Sequence, residues 1–167
     1  TNQPAWKEVF GQSFYETINA DKAKTSVFRE WNTLTAGDWL PPVFNSYDFS
    51  WAKTVVDVGG GAGYFIKNIL ERYLDINGVL YDQEGVVGQS VFSNTSEFDG
   101  RIEVTGGDFF KHVPSGGDLY TVCRTLLNWN DEKSINLLEN CHQAIQKNGK
   151  LLIVDFFLPE PGDPKYL

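Results

Sequence analysis

A chain of 167 residues, 41% hydrophobic and 14% aromatic, has the apolar mass for one packed domain with a flanking arm. Its net charge of −8 argues against gripping nucleic acid through a basic surface, and against docking on an anionic membrane. The best apolar run, Leu151 to Leu158, is interrupted by Asp155 and falls far short of a membrane span.

Two cysteines, Cys123 and Cys141, lie 18 residues apart without a CxxC, and only His142 adjoins them. This argues against a disulfide framework or a zinc site and fits a reducing cytoplasm. The chain starts at Thr1 and contains no methionine. It reads as a piece of a longer protein, or as a sequence from which modified methionines are missing.

The first 50 residues read as a helical arm and linker. Trp6, Val9, Phe10, Phe14 and Ile18 fall on one face at helical spacing. A second helical stretch covers roughly Lys22 to Trp31. A turn-rich stretch from Gly37 to Ser50, holding the Pro41-Pro42 pair, then leads into the main domain at 51–167.

From there strands alternate with helices. Thr54–Val58 is a valine-rich strand running into glycines. Ile66, Ile69, Leu70 and Tyr73 mark a helix face. Gly78–Tyr81 is the next strand, ending at Asp82, and Ile102–Thr105 and Leu119–Cys123 follow. A helix from about Asp131 to Lys147 puts Ile135, Leu138, His142 and Ile145 on one face, with Asn148-Gly149 as a left-handed cap. Leu151–Leu158 is the fifth strand, and Pro159–Leu167 holds no element. Near-continuous apolar strands between helices predict an α/β fold, a parallel sheet covered on both faces. A fifth strand left at the edge would be long, apolar and unpaired, so further strands or another chain are expected beside it.

The sharpest motif is Val55-Val56-Asp57-Val58-Gly59-Gly60-Gly61-Ala62-Gly63, a strand entering a helix through four glycines in five residues. Glycines there let backbone approach a ligand closely. A plain tight turn would need only one glycine pair. The spacing is GxGxG, with Tyr64 where a dinucleotide fingerprint needs glycine, and no Lys-Ser/Thr follows as in a P-loop. The loop resembles the first motif of S-adenosylmethionine-dependent methyltransferases. Asp82, 23 residues after Gly59, is placed to accept hydrogen bonds from a ribose diol. Asp108 is a candidate acceptor for an adenine amino group, with Phe109 packing on the ring.

Taken together, VVDVGGGAGYF, GVLYD with Val86-Val87, GGDFF, Leu127-Asn128-Trp129-Asn130-Asp131-Glu132 and NGKLLIVDFFLP resemble the small-molecule O-methyltransferases of plant phenolic, hydroxyindole and bacterial polyketide type, over about Phe10 to Pro159. The resemblance implies a Rossmann-like methyltransferase sheet preceded by a helical arm and cut at both ends. A winged-helix dimerisation domain is expected ahead of it, two more strands behind it, and a homodimer overall. It implies a cofactor site of Asp57, Gly59, Gly61, Gly63, Asp82, Gln83, Asp108, Phe109 and Cys123, with no metal. Trp31, Trp39 and Phe44 are candidate walls for a phenolic or polyketide-like acceptor.

One position departs from that family: its general-base histidine is Leu127 here, followed by Asn128-Trp129. His112, in a loop, and His142, on a helix away from the strand ends, do not replace it. The Leu-Leu-Asn-Trp run resembles anthracycline-type members and a related hydroxylase, where catalysis is by orientation. It implies that Asn128 orients the acceptor. The alternatives are a hydroxylase or decarboxylase of the same fold, or a non-catalytic cofactor-binding domain of a larger assembly. A nicotinamide dehydrogenase is opposed by the glycine spacing.

Overall fold

The computed structural model describes residues 5–93, 95–98 and 100–156. The arm is three helices, α1 (Ala5–Phe10), α2 (Phe14–Asn19) and α3 (Lys22–Ser46). The sheet follows as β1 (Thr54–Val58), β2 (Asn77–Asp82), β3 (Ile102–Gly106), β4 (Leu119–Cys123) and β5 (Lys150–Val154). Helices α4 (Tyr64–Arg72), α5 (Glu84–Val87) and α6 (Asp131–Ala144), and a 3-10 turn at Leu126–Asn128, lie between them.

All five strands are parallel, in the order β3-β2-β1-β4-β5. The order reverses between β1 and β4, so the crevice beyond their C-terminal ends is the expected ligand position. Alternation along β1 feeds two cores. Val55 packs with Phe49, Ile66, Ile69 and Leu80 on one face, while Val56 and Val58 pack with Tyr81, Tyr120, Leu137 and Cys141 on the other. At the far end of the sheet Asp118 Oδ2 accepts from the Lys53 and Thr54 N–H groups at 3.0 and 2.9 Å. The Arg101 guanidinium donates to the carbonyls of Leu70 in α4 and of Ile76 just before β2. The two edge strands are the exposed ones: Val104 of β3 is 40% accessible, and Leu151 and Ile153 of β5 are 38% and 45%. The predicted residues Phe157, Leu158 and the Pro159–Leu167 tail lie outside the described residues.

Strands β1 to β4 match the sequence reading closely, whereas β5 stops at Val154 and leaves Asp155 and Phe156 of the expected Leu151–Leu158 strand outside any element; the helices correct the reading further. The first arm helix is broken into α1 and α2. Gly11 takes a left-handed φ of 74°, and Ser13 and Glu16 close a capping box. Of the turn-rich stretch at 37–50, residues 37–46 are instead the second half of α3, which runs through Pro41 and Pro42. An interior proline costs about 3 kcal/mol. Packing of Ala36, Leu40, Trp39, Val43 and Phe44 against the sheet core offsets that cost. On α6 the buried side chains are Leu137 and Cys141, while Ile135 and His142 are exposed. The two stripes overlap at Leu138 and Ile145, which are partly buried against the core. Gly149 is no left-handed cap either: α6 ends at Ala144, and a Cβ on Gly149 would fall 2.5 Å from Ile145 Cγ1 and 2.9 Å from the Asp118 carbonyl. Glycine is needed there for close approach.

Candidate functional site

At the switch point the glycine loop turns back on β2. The Gly59 and Gly60 N–H groups both donate to the Tyr81 carbonyl, at 2.8 and 3.3 Å. Each glycine then has a distinct reason to be one. A Cβ on Gly60 would lie 2.5 Å from Asp57 Oδ2 and 2.6 Å from Leu80 Cδ1. A Cβ on Gly59, whose φ is 70°, would meet Thr125 at 2.9 Å. Gly61 is also left-handed, at 59°, but nothing lies within 4 Å of its missing Cβ. Gly61 lines the cavity described below.

Asp82 closes the loop. Its Oδ2 accepts from the Gly61 N–H at 2.9 Å and its Oδ1 from the Gln83 N–H at 2.7 Å. Burial raises its pKa, opposed by these two N–H groups. Each oxygen keeps a lone pair for a further donor. Beneath the loop, Asp57 is fully buried. The β1–β4 register pairs it with Thr121, whose hydroxyl donates to Asp57 Oδ1 at 2.7 Å, while Oδ2 has no partner. Burial pushes this carboxyl up to about 7.

A cavity of about 740 Å³ opens from this loop toward the arm. The sheet side contributes Gly59, Gly60, Gly61, Asp57, Asp82, Gln83, Phe109, Cys123, Arg124, Thr125 and Asn128. The arm contributes Phe14, Tyr15, Ile18, Phe28, Trp31 and Trp39. Tyr15 stacks on Trp129 with ring centroids 6.2 Å apart. Its hydroxyl is pushed up to about 12, chiefly by burial, with Asp82 adding to the shift and Arg124 opposing it.

Of the site residues read from sequence, two stand outside this cavity lining. Gly63 starts α4, and a Cβ there would meet Phe92 at 2.8 Å. Asp108 turns toward its own loop: Oδ1 accepts from the Phe110 N–H at 3.0 Å, and Lys111 Nζ lies 3.6 Å from Oδ2. Phe109 does line the cavity and is 7% exposed. Cys123 lines it too, its thiol raised well above the ordinary value by burial. Trp31 and Trp39 are cavity walls, whereas Phe44 packs between Phe49 and Phe65. His112 and His142 are exposed and outside the lining. The sequence reading missed Tyr15, Phe28 and Arg124. Nothing at their spacing marks them: Tyr15 and Phe28 reach the strand ends only through tertiary packing of the arm, and Arg124 follows β4 with an unusual backbone. Among the described residues no group of three or more metal-binding side chains occurs, and no helix is long and apolar enough to cross a membrane.

Residues 1–166 match the profile of the O-methyltransferase domain. The chain belongs to that family. It is 36% identical over 166 residues to the phenazine O-methyltransferase PhzM of Lysobacter antibioticus, covering 98% of this chain and 48% of that protein. It is 31% identical over 157 residues to the aclacinomycin 10-hydroxylase RdmB of Streptomyces purpurascens, covering 93% of this chain and 42% of that one. The crystal structure of CalO1, a methyltransferase of calicheamicin biosynthesis in its SAH-bound form, superposes with a TM-score of 0.79 at 33% identity, covering 96% of this chain and 48% of that chain. The chain thus spans about half the length of the curated relatives it matches.

Proposed function

We propose that the protein is an S-adenosylmethionine-dependent O-methyltransferase of small aromatic or polyketide-like hydroxyl compounds. The observation that carries this reading is one juxtaposition. A glycine loop with an open face at Gly61, and a carboxylate at Asp82, share one cavity with an aromatic arm wall. The residues fit the cofactor: Asp82 for the ribose diol, Gln83 beside it, Phe109 for the adenine face, and Gly59, Gly61 and Cys123 along the methionine portion. Asp57 supports the loop from below, and Asp108 and Gly63 hold the turns that position Phe109 and α4. When bound, the cofactor supplies an activated methyl group. Residues 1–50 act as the acceptor-side arm and 51–167 as the cofactor-binding core, within a homodimer of the whole protein.

The acceptor is oriented rather than deprotonated by a histidine. Leu127 occupies the base position and is 54% exposed. A positioned base is worth about 10²–10⁴-fold, and positioning alone supplies up to about 7–11 kcal/mol. Asn128 is the orienting residue. Its Nδ2 is committed to the Arg124 and Thr125 carbonyls at 3.1 and 3.2 Å, which leaves Oδ1 to take a hydrogen bond from an acceptor hydroxyl. Replacing Asn128 with Ala should lower turnover on a panel of phenols at least about tenfold. Binding of S-adenosylhomocysteine should be unchanged. Equal turnover would overturn the assignment.

A second reading, hydroxylation, is favoured by Leu127 together with the likeness to a 10-hydroxylase. Product mass separates the two, as a gain of methyl or a gain of oxygen.

A further inference from the structure

Arg124 has a geometry that the methyl-transfer reading leaves unused. Its backbone is left-handed, with φ 53°, the one such non-glycine residue among the described ones. That conformation disfavours a side chain and persists because the residue is pinned on both sides. The Arg124 N–H donates to the Val154 carbonyl at 2.7 Å, and its carbonyl accepts from Asn128 Nδ2 at 3.1 Å. The result aims a long cationic side chain into the cavity wall.

The surroundings of that side chain are apolar. The guanidinium carbon lies 5.3 Å from the Trp31 ring centroid, 5.7 Å from that of Trp39 and 5.1 Å from that of Phe156. Ring faces attract the cation but satisfy none of its in-plane N–H donors. Nε is buried and has no hydrogen-bond partner. Among the described residues no carboxylate lies within ion-pair distance of the guanidinium. The cavity's carboxylates, Asp57 and Asp82, are held by the glycine loop and by Thr121. A half-buried cation whose buried Nε–H has no acceptor, beside a ligand-sized cavity, is built to receive an anionic oxygen, for which Arg offers a bidentate fork.

We propose that Arg124 is a specificity-determining residue that selects aromatic acceptors carrying a carboxylate near the hydroxyl to be methylated. The inference rests on the methyl-transfer reading above. The same chemistry exists on the amino-acid end of the cofactor, so the test carries an arm for each source.

The full-length protein is titrated by tryptophan fluorescence and calorimetry at neutral pH. The probes are 1-hydroxy-2-naphthoate, 1-naphthol and S-adenosylhomocysteine. The wild type should bind the naphthoate about tenfold or more tightly than the naphthol, with the preference shrinking as salt rises. Arg124→Gln should abolish the preference and leave naphthol and S-adenosylhomocysteine binding unchanged. Arg124→Lys should keep part of it, because charge survives without the fork. A wild type with no preference, or a preference that survives in Arg124→Gln, overturns the proposal. So does a variant that weakens S-adenosylhomocysteine alone, which would assign Arg124 to the cofactor. If Arg124→Gln fails to fold, the wild-type preference, its salt dependence and the Lys variant decide. Failure of the methyl-transfer reading is a separate result, namely no S-adenosylhomocysteine binding or no methylated product.

Discussion

The two walls of the cavity are built by different physics. The sheet wall is backbone: three successive glycines, N–H groups donating to Tyr81 and Asp82, and a register that fixes Asp57 against Thr121. The arm wall is side chain: Phe14 and Tyr15 of α2 and Phe28 and Trp31 of α3 in edge and stacked contacts, with Val27 and Leu34 of α3 66% and 72% exposed. Backbone geometry tolerates almost no substitution, whereas aromatic surfaces adapt by rotamer. A site joined from the two can hold one fixed ligand and vary the other.

The strongest way to break this contrast is within the loop itself. Gly60→Val places a side chain where Asp57 Oδ2 already lies 2.5 Å from the Cβ position. Overpacking of this kind costs about 3 kcal/mol or more. Thermal unfolding should show a severely destabilised or unfolded protein. Gly61→Ala should cost only about 1 kcal/mol, from its left-handed φ. It should still weaken S-adenosylhomocysteine at least about tenfold, because its Cβ enters the ligand side. If Gly61→Ala binds normally, the open face at Gly61 is not where the ligand lies.

The same contrast explains what could be read in advance. β1 and β4 were legible residue for residue: both are short runs of apolar and β-branched residues, and β1 also ends at glycines. The loop, Asp82 and Phe109 were legible because they sit at strand ends, where local order implies position. Asp108 stands outside the cavity lining, and the sequence does not say which way a turn carboxylate points; here the Phe110 N–H and Lys111 contact it. The arm was poorly legible. Pro41-Pro42 signals a turn locally, and only the contact of Leu40 and Phe44 with the core overrides that signal. Arg124 was invisible, since an unusual φ leaves no periodic trace.

A smaller effect probes the cost of the sheet wall. Asp57 titrates at about 7 in the folded state against an ordinary 3.8, through burial. The folded protein therefore holds this proton where the unfolded chain has lost it. The stability it contributes is fully present below the unfolded value and disappears as pH rises through about 7. Urea midpoints for wild type and Asp57→Asn should therefore diverge between about pH 4 and pH 7, with the wild type losing stability relative to the variant as pH rises. Parallel curves would mean that Asp57 is not charged at the expense of folding.

The smallest effect comes from the arm. Pro41 and Pro42 are exposed within α3, so replacing either removes no buried contact. Pro42→Ala returns an N–H able to bond to the Asp38 carbonyl one turn back, and relieves the ring's clash with it. Against this, the unfolded chain gains freedom worth about 0.4–1 kcal/mol. The helix term is the larger, at up to about 3 kcal/mol, so the net should be a stabilisation of about 1–2 kcal/mol, read as a raised Tm. Cofactor binding should not move, because the sheet wall does not depend on the arm's helical strain. A lowered Tm would show instead that the prolines set the path by which α3 brings Trp39 and Leu40 onto the core. The arm would then be as geometrically exacting as the glycine loop, and the contrast between the two walls would be lost.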